Sequence, residues 1–321
     1  MGKTQFARKP IRSEISAQHF MTDTLSPIAP KPAGGMIAAN ALCMVSMISW
    51  AAGFPAADHL LKVWDPLALA TARFLVALCV LIPLWAMIDG PRRLLRARWG
   101  KGAVIGGLAF GLGAYLLLLA QALTDAVTVA IIAASSPIAA TLIEMVWEKR
   151  RLRLPFAVGL AASIIGGIIA TGSAPHAQLG LGAAVAIVSC FLFAWGSWAT
   201  VRFLPDLSPL GRTSITLSGG LVVLAISLLG GIAFGLSDAP APLITGADLG
   251  ALLVYAIFGM AISQLLWIMS VGRMGVAVAA FHINISPFYV MVILFALGSA
   301  WSWPQFLGAA VVGLGVLIAQ R

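Results

Sequence analysis

The sequence is poor in charge: Asp, Glu, Lys and Arg together make up 10% of its 321 residues. A soluble domain carries about a quarter, so this composition excludes an ordinary water-exposed surface. Acids are the scarcer sign, 11 Asp and Glu against 20 Lys and Arg. None lies near the middle of an apolar span. That absence excludes intramembrane aspartyl proteolysis and argues against a proton relay or sodium site built on carboxylates. With 4 His, 3 Cys and no Cys-x-x-Cys, neither a metal site nor a cofactor is expected. Cys43, Cys79 and Cys190 all fall inside apolar runs and read as small packing residues, not as a disulfide framework. The net charge of +9 comes without a basic stripe interleaved with aromatics, so nucleic acid is not an expected partner.

What is present is apolar length. The chain is 60% hydrophobic with a mean hydropathy of +0.99. Ten runs are expected to cross a bilayer core, at 36–57, 66–88, 101–121, 126–147, 154–173, 179–201, 210–234, 249–269, 275–298 and 303–320. Each holds enough residues to span about 30 Å. Turn residues or charges divide them, as at Asp65-Pro66, Asp89-Gly90-Pro91, Thr124-Asp125 and Ser208-Pro209. Counted over alternate links, 18 of the 20 basic residues fall on one side; Lys62 lies opposite and Arg73 within a span. That side is expected to be cytoplasmic, with both termini there. Residues 1–34 are polar, hold four prolines and lack a secretory apolar core; they read as a disordered cytoplasmic tail.

Displaced by 143 residues, Val45-Ser46 falls on Val188-Ser189, Gly53 on Gly196 and Pro66-Leu67 on Pro209-Leu210. Displaced by 150, Ser136-Pro137 falls on Ser286-Pro287. The order and near-constant shift of these matches predict two five-helix halves, 35–173 and 174–321. Five is odd, so the second half would enter the membrane inverted, a layout of secondary transporters. Two equivalent halves can exchange outward-open and inward-open states of similar energy.

Pro137 and Pro287 lie mid-span in the fourth and ninth runs. Each lacks the N–H that would bond the carbonyl four residues earlier, so each predicts a kink. A freed carbonyl at membrane depth needs a hydroxyl, water or ligand. Ser135, Ser136, Asn284 and Ser286 stand beside these kinks as candidate linings of a midplane cavity, or as local partners of the kink itself. His282 is a candidate for binding a carboxylate or taking up a coupling proton, its ordinary pKa lying near about 6.5. A neutral histidine bonded between helices is the competing reading. Arg73 could meet a substrate carboxylate, but a helix-bracing role is favoured. Glu144 reads as a solvated charge beside the basic link 148–153. Trp50, Tyr115, Trp195, Trp267 and Tyr289, with Gln264, are candidate walls of a substrate pocket. Trp85, Trp99, Trp147, Trp301 and Trp303, at span ends, fit an interfacial belt.

Ser46-x-x-x-Trp50-x-x-Gly53, Pro66-x(6)-Arg73-Phe74 and the two intramembrane Ser-Pro pairs resemble the drug/metabolite transporter superfamily, EamA type, over residues 36–320. Within it the chain is most similar to the YddG-type amino-acid exporters, associated with aromatic amino acids and paraquat. The resemblance implies an all-α membrane protein of ten helices. Helices 1, 3, 4, 6, 8 and 9 would surround a central cavity, helices 5 and 10 would lie behind, and Arg73 would be peripheral. It implies export of amino acids or related amphipathic metabolites across a bacterial inner membrane, with a small molecule and the lipid bilayer as partners. Other solute classes, such as nucleotide precursors or cationic drugs, are the alternative. A Ser218–His282 hydrolase is a remote one, since it needs the two side chains within hydrogen-bond reach.

Overall fold

The computed structural model describes residues 33–148, 154–171, 176–237 and 245–319. The tail up to residue 32, the basic link 149–153 and Asp238 lie outside the described residues. Among the described residues every regular element is helical. Eight helices are long and apolar enough to cross a membrane: α1 (Ile37–Leu60), α2 (Pro66–Asp89), α3 (Trp99–Leu123), α4 (Ala126–Trp147), α6 (Gly180–Phe203), α7 (Pro209–Ala233), α8 (Gly246–Met274) and α9 (Val276–Ala296). Two further helices, α5 (Leu154–Thr171) and α10 (Trp303–Ala319), lie in the remaining apolar runs.

The starts of these helices come from local chemistry. Asp65 accepts from the N–H groups of Leu67 and Ala68, and Pro66 occupies the first helical position, where its missing N–H costs nothing. Asp125 caps α4 in the same way, and Ser208 with Pro209 opens α7. Thr245 and Asp248 form a reciprocal capping box at α8. Such caps satisfy first-turn donors that have no partner within the helix.

Leu75, Val80, Leu84, Val104, Val223, Ile226 and Val292 face outward, whereas the packed interior is rich in small and hydroxyl residues. Lipid is as apolar as leucine, so close packing and interhelical hydrogen bonds hold the helices together. Glycines make the closest crossings. A Cβ on Gly106 of α3 would lie 1.8 Å from the Thr216 carbonyl oxygen of α7, and one on Gly111 would lie 2.9 Å from Gly220. Gly166 of α5 meets α10 at the Val312 nitrogen, 2.7 Å from its ideal Cβ. The α5–α10 pair makes one of the most extensive helix contacts among the described residues.

Two sequence expectations change here. Trp85 is fully buried, not interfacial; its indole donates to Asp89 at 3.1 Å and its ring packs beneath Gly211, where a side chain would collide with it. Glu144 is buried rather than solvated. Its carboxylate accepts from the N–H of Ala277, 3.2 Å away, so it serves the exposed donors at the start of α9.

Candidate functional site

A cavity of about 80 Å³ lies among α1, α2, α3, α4, α6, α7, α8 and α9. Its walls are mainly apolar, with Trp50, Phe74, Phe110, Phe193 and Trp267 the large rings. Phe193 and Trp267 pack at 5.5 Å between centroids, and Phe110 meets Phe193 edge-on at 5.8 Å. The Trp267 indole donates to Ser197 at 2.9 Å, which fixes its orientation. The residues lining the cavity include no Asp or Glu.

Two helices at this cavity contain π-helical segments. α3 is π-helical over Gly106–Leu112 and α8 over Val254–Ile262. Such segments loosen the regular hydrogen-bond ladder and occur often at functional sites. In each case a serine from a neighbouring helix reaches the carbonyl just beyond the π segment. Ser189 of α6 donates to Gly113 at 2.7 Å, and Ser46 of α1 donates to Ser263 at 2.7 Å. The recurring Val-Ser pair in the sequence carries this signal, although neither serine stands among the predicted site residues.

Where α2 crosses the π segment of α8 stands Arg73, only 6% exposed. It donates to the Tyr255 hydroxyl at 3.0 Å and to the Gly259 carbonyl. Its guanidinium carbon lies 4.0 Å from the centroid of the Tyr255 ring, within cation–π range. These contacts make it a brace. It also lines the central cavity and a much smaller void reaching towards Gln121. Arg73 is therefore central, not peripheral: the crossing of α2 over α8 carries it inward. Phe74 of α2 and Leu217 of α7 join the wall as well, so the lining draws on helices beyond the six that the resemblance implied.

Of the residues predicted for the site, Trp50, Ser136, Gln264 and Trp267 line the cavity together. The others are not among the residues that wall it. The helix stops at Ala133, turns through Ala134 and Ser135, and resumes at Ser136, just before Pro137. Ser135 donates back to the Ile132 carbonyl at 2.6 Å. Just before Pro287, which lies in the first turn of the helix Ser286–Ala296, the chain is a 3-10 segment over Phe281–Ile285, and Ser286 donates to the Ile283 carbonyl at 2.7 Å. That carbonyl is the one Pro287 cannot serve. Half-buried His282 places Nδ1 3.3 Å from the Ala279 carbonyl. Asn284 has a buried Oδ1 without a bond. Tyr115, Trp195 and Tyr289 pack, partly buried, against the main core. Ser218 donates to Ser214 at 2.8 Å within its own helix, so the hydrolase pair does not form. Among the described residues no cluster of His, Cys, Asp and Glu could hold a metal.

The model of the EamA-like transporter family matches residues 37–172 and again residues 180–320. A Bacillus subtilis (strain 168) protein, named as the uncharacterized transporter YyaM, is 24% identical over 277 residues, 84% of this chain and 89% of its own. A protein known from its crystal structure shares the fold at 18% identity, with a TM-score of 0.67 over 88% of this chain and 97% of that one.

Proposed function

The chain belongs to the EamA-like transporter family, a multi-pass membrane transporter and not an enzyme, and we propose that it exports amino acids by alternating access. Aromatic and other neutral amino acids, with related amphipathic metabolites, are the proposed substrates. The observation that carries this reading is the central cavity. Its aromatic walls suit an apolar side chain, and a few polar groups remain to fix orientation. We place the substrate against Trp50, Ser136, Gln264 and Trp267.

The proposed architecture is ten membrane helices in two inverted five-helix halves, with both termini in the cytoplasm of a bacterial inner membrane. It is supported by the double match of the family model and by the serine bonds that recur beyond both π segments. The basic residues concentrated on one side support the orientation. With no carboxylate on the cavity wall, the substrate's own gradient is the proposed driving force.

Uptake of labelled phenylalanine, threonine and methionine into liposomes holding the purified protein tests this reading, with protein-free liposomes as control. Saturable uptake that ignores an imposed pH gradient is expected. Absence of uptake for all three would remove the amino-acid assignment and turn attention to nucleotide precursors and cationic drugs.

A further inference from the structure

A buried cation without a counter-charge is costly. Arg73 is the charged residue on the cavity wall, and among the described residues no Asp or Glu forms an ion pair with it. Its bonds go to a phenol and a backbone carbonyl, neither of which carries a formal charge. Its Nε is buried and has no partner at all. An uncompensated guanidinium in a low-dielectric interior is strongly unfavourable, and replacing its hydration takes both charge and acceptors.

A second cavity residue points the same way. Gln264 is 8% exposed, and its amide nitrogen is buried without a partner. It lies five residues beyond Gly259, the carbonyl partner of Arg73, on α8, a rise of about 7–8 Å along a helix. The serines nearby are not free in this way. Ser46, Ser189 and Ser263 already give their protons to backbone carbonyls. The unsatisfied groups on this wall are thus donors, one of them cationic.

We infer that Arg73 is the carboxylate anchor of the cavity, and that Gln264 supplies a further donor to the same acceptor-bearing solute. The inference rests on the reading of this cavity as the solute site. It narrows the solute to one carrying a carboxylate, with its side chain directed to the aromatic wall. A guanidinium matches a carboxylate in geometry and charge. Tyr255, stacked on the guanidinium and not itself among the residues lining the cavity, holds the anchor in place. Permanently cationic solutes, by contrast, meet a like charge that nothing neutralises.

The test compares phenylalanine with phenylalaninamide, whose carboxylate is replaced by a neutral amide. With the wild-type protein in liposomes, phenylalanine should be taken up and should compete at least about tenfold more tightly than the amide, the discrimination a charge-assisted hydrogen bond supplies. Arg73→Gln should erase that preference while Arg73→Lys keeps part of it. Equal competition by acid and amide in the wild type would overturn the inference while leaving amino-acid transport standing. Thermal stabilisation of the purified protein by benzoate against benzamide separates the opposite case. Stabilisation by benzoate alone, without amino-acid uptake, would support the anchor and sink the amino-acid reading. Stabilisation by neither, with no uptake, would overturn both. The wild-type arms need no variant, so a failure of Arg73→Gln to fold does not leave the question open.

Discussion

Two helix crossings flank the cavity, and they solve one packing problem in different ways. Where α7 crosses the π segment of α3, the contact is made by absence: Gly106, Gly111, Gly219 and Gly220 bring backbone against backbone. Thr216 sits there fully buried, its hydroxyl turned back to Arg212 at 2.8 Å. Where α2 crosses the π segment of α8, the residue displaced by 143 positions from Thr216 is Arg73, and the second residue of the π segment is Tyr255 instead of Gly107. One crossing is tight and neutral; the other holds a stacked cation and a void beside it. Two crossings that both involve a π segment thus need not share work. One side gives close packing, and the other gives a polar handle at the cavity.

Moving the handle to the wrong side should upset this division most severely. Thr216→Arg places an unpaired charge where glycines leave no room, and a loss of about 3–5 kcal/mol is expected, enough to prevent recovery of monodisperse protein from detergent. Next, Gly106→Ala forces α3 from α7, with an expected loss of about 3 kcal/mol, near the upper end of overpacking costs. Gly259→Ala should cost clearly less, since its Cβ would meet Gly53 at 3.0 Å and not 1.8 Å. Thermal unfolding in detergent measures both, and equal losses would dissolve the contrast. Tyr255→Phe removes one partner of Arg73 and should lower stability by about 1–2 kcal/mol. The smallest effects belong to the pair that the crossings share. Ser46→Ala and Ser189→Ala should each cost about 0.6 kcal/mol, the average for an interhelical bond in a membrane. A large difference between the two would end their equivalence.

The helical class and most of the span ends were legible because proline, aspartate and serine mark helix starts by a local mechanism, as Asp65-Pro66 and Ser208-Pro209 do. The cavity was less so. In a water-soluble helix a polar stripe opposes an apolar one, but here lipid and interior are both apolar, and periodicity does not say which face turns inward. Trp85 therefore reads as interfacial although it is buried. The residues beside the prolines draw attention because they are polar, yet Ser135, Ser286 and His282 face carbonyls of their own helix. Close backbone acceptors compete with a cavity for such short side chains. Arg73 was visible as an intramembrane charge. Its position at the cavity depends on how α2 crosses α8, which lies far from it in sequence.

The π segments also set the phase of the helices that carry them. Each inserts extra residues into a helix that otherwise turns about 100° per residue, so the turns beyond it are rotated relative to an uninterrupted helix. Gln264 and Trp267 of α8, and Gly113 and Leu117 of α3, come after such segments and face the cavity. Regularising the ladder over Val254–Ile262 to α geometry at the same chain length would swing Gln264 and Trp267 off the wall without altering either. The spelling of α8 would be unchanged, while its reading frame in space would not.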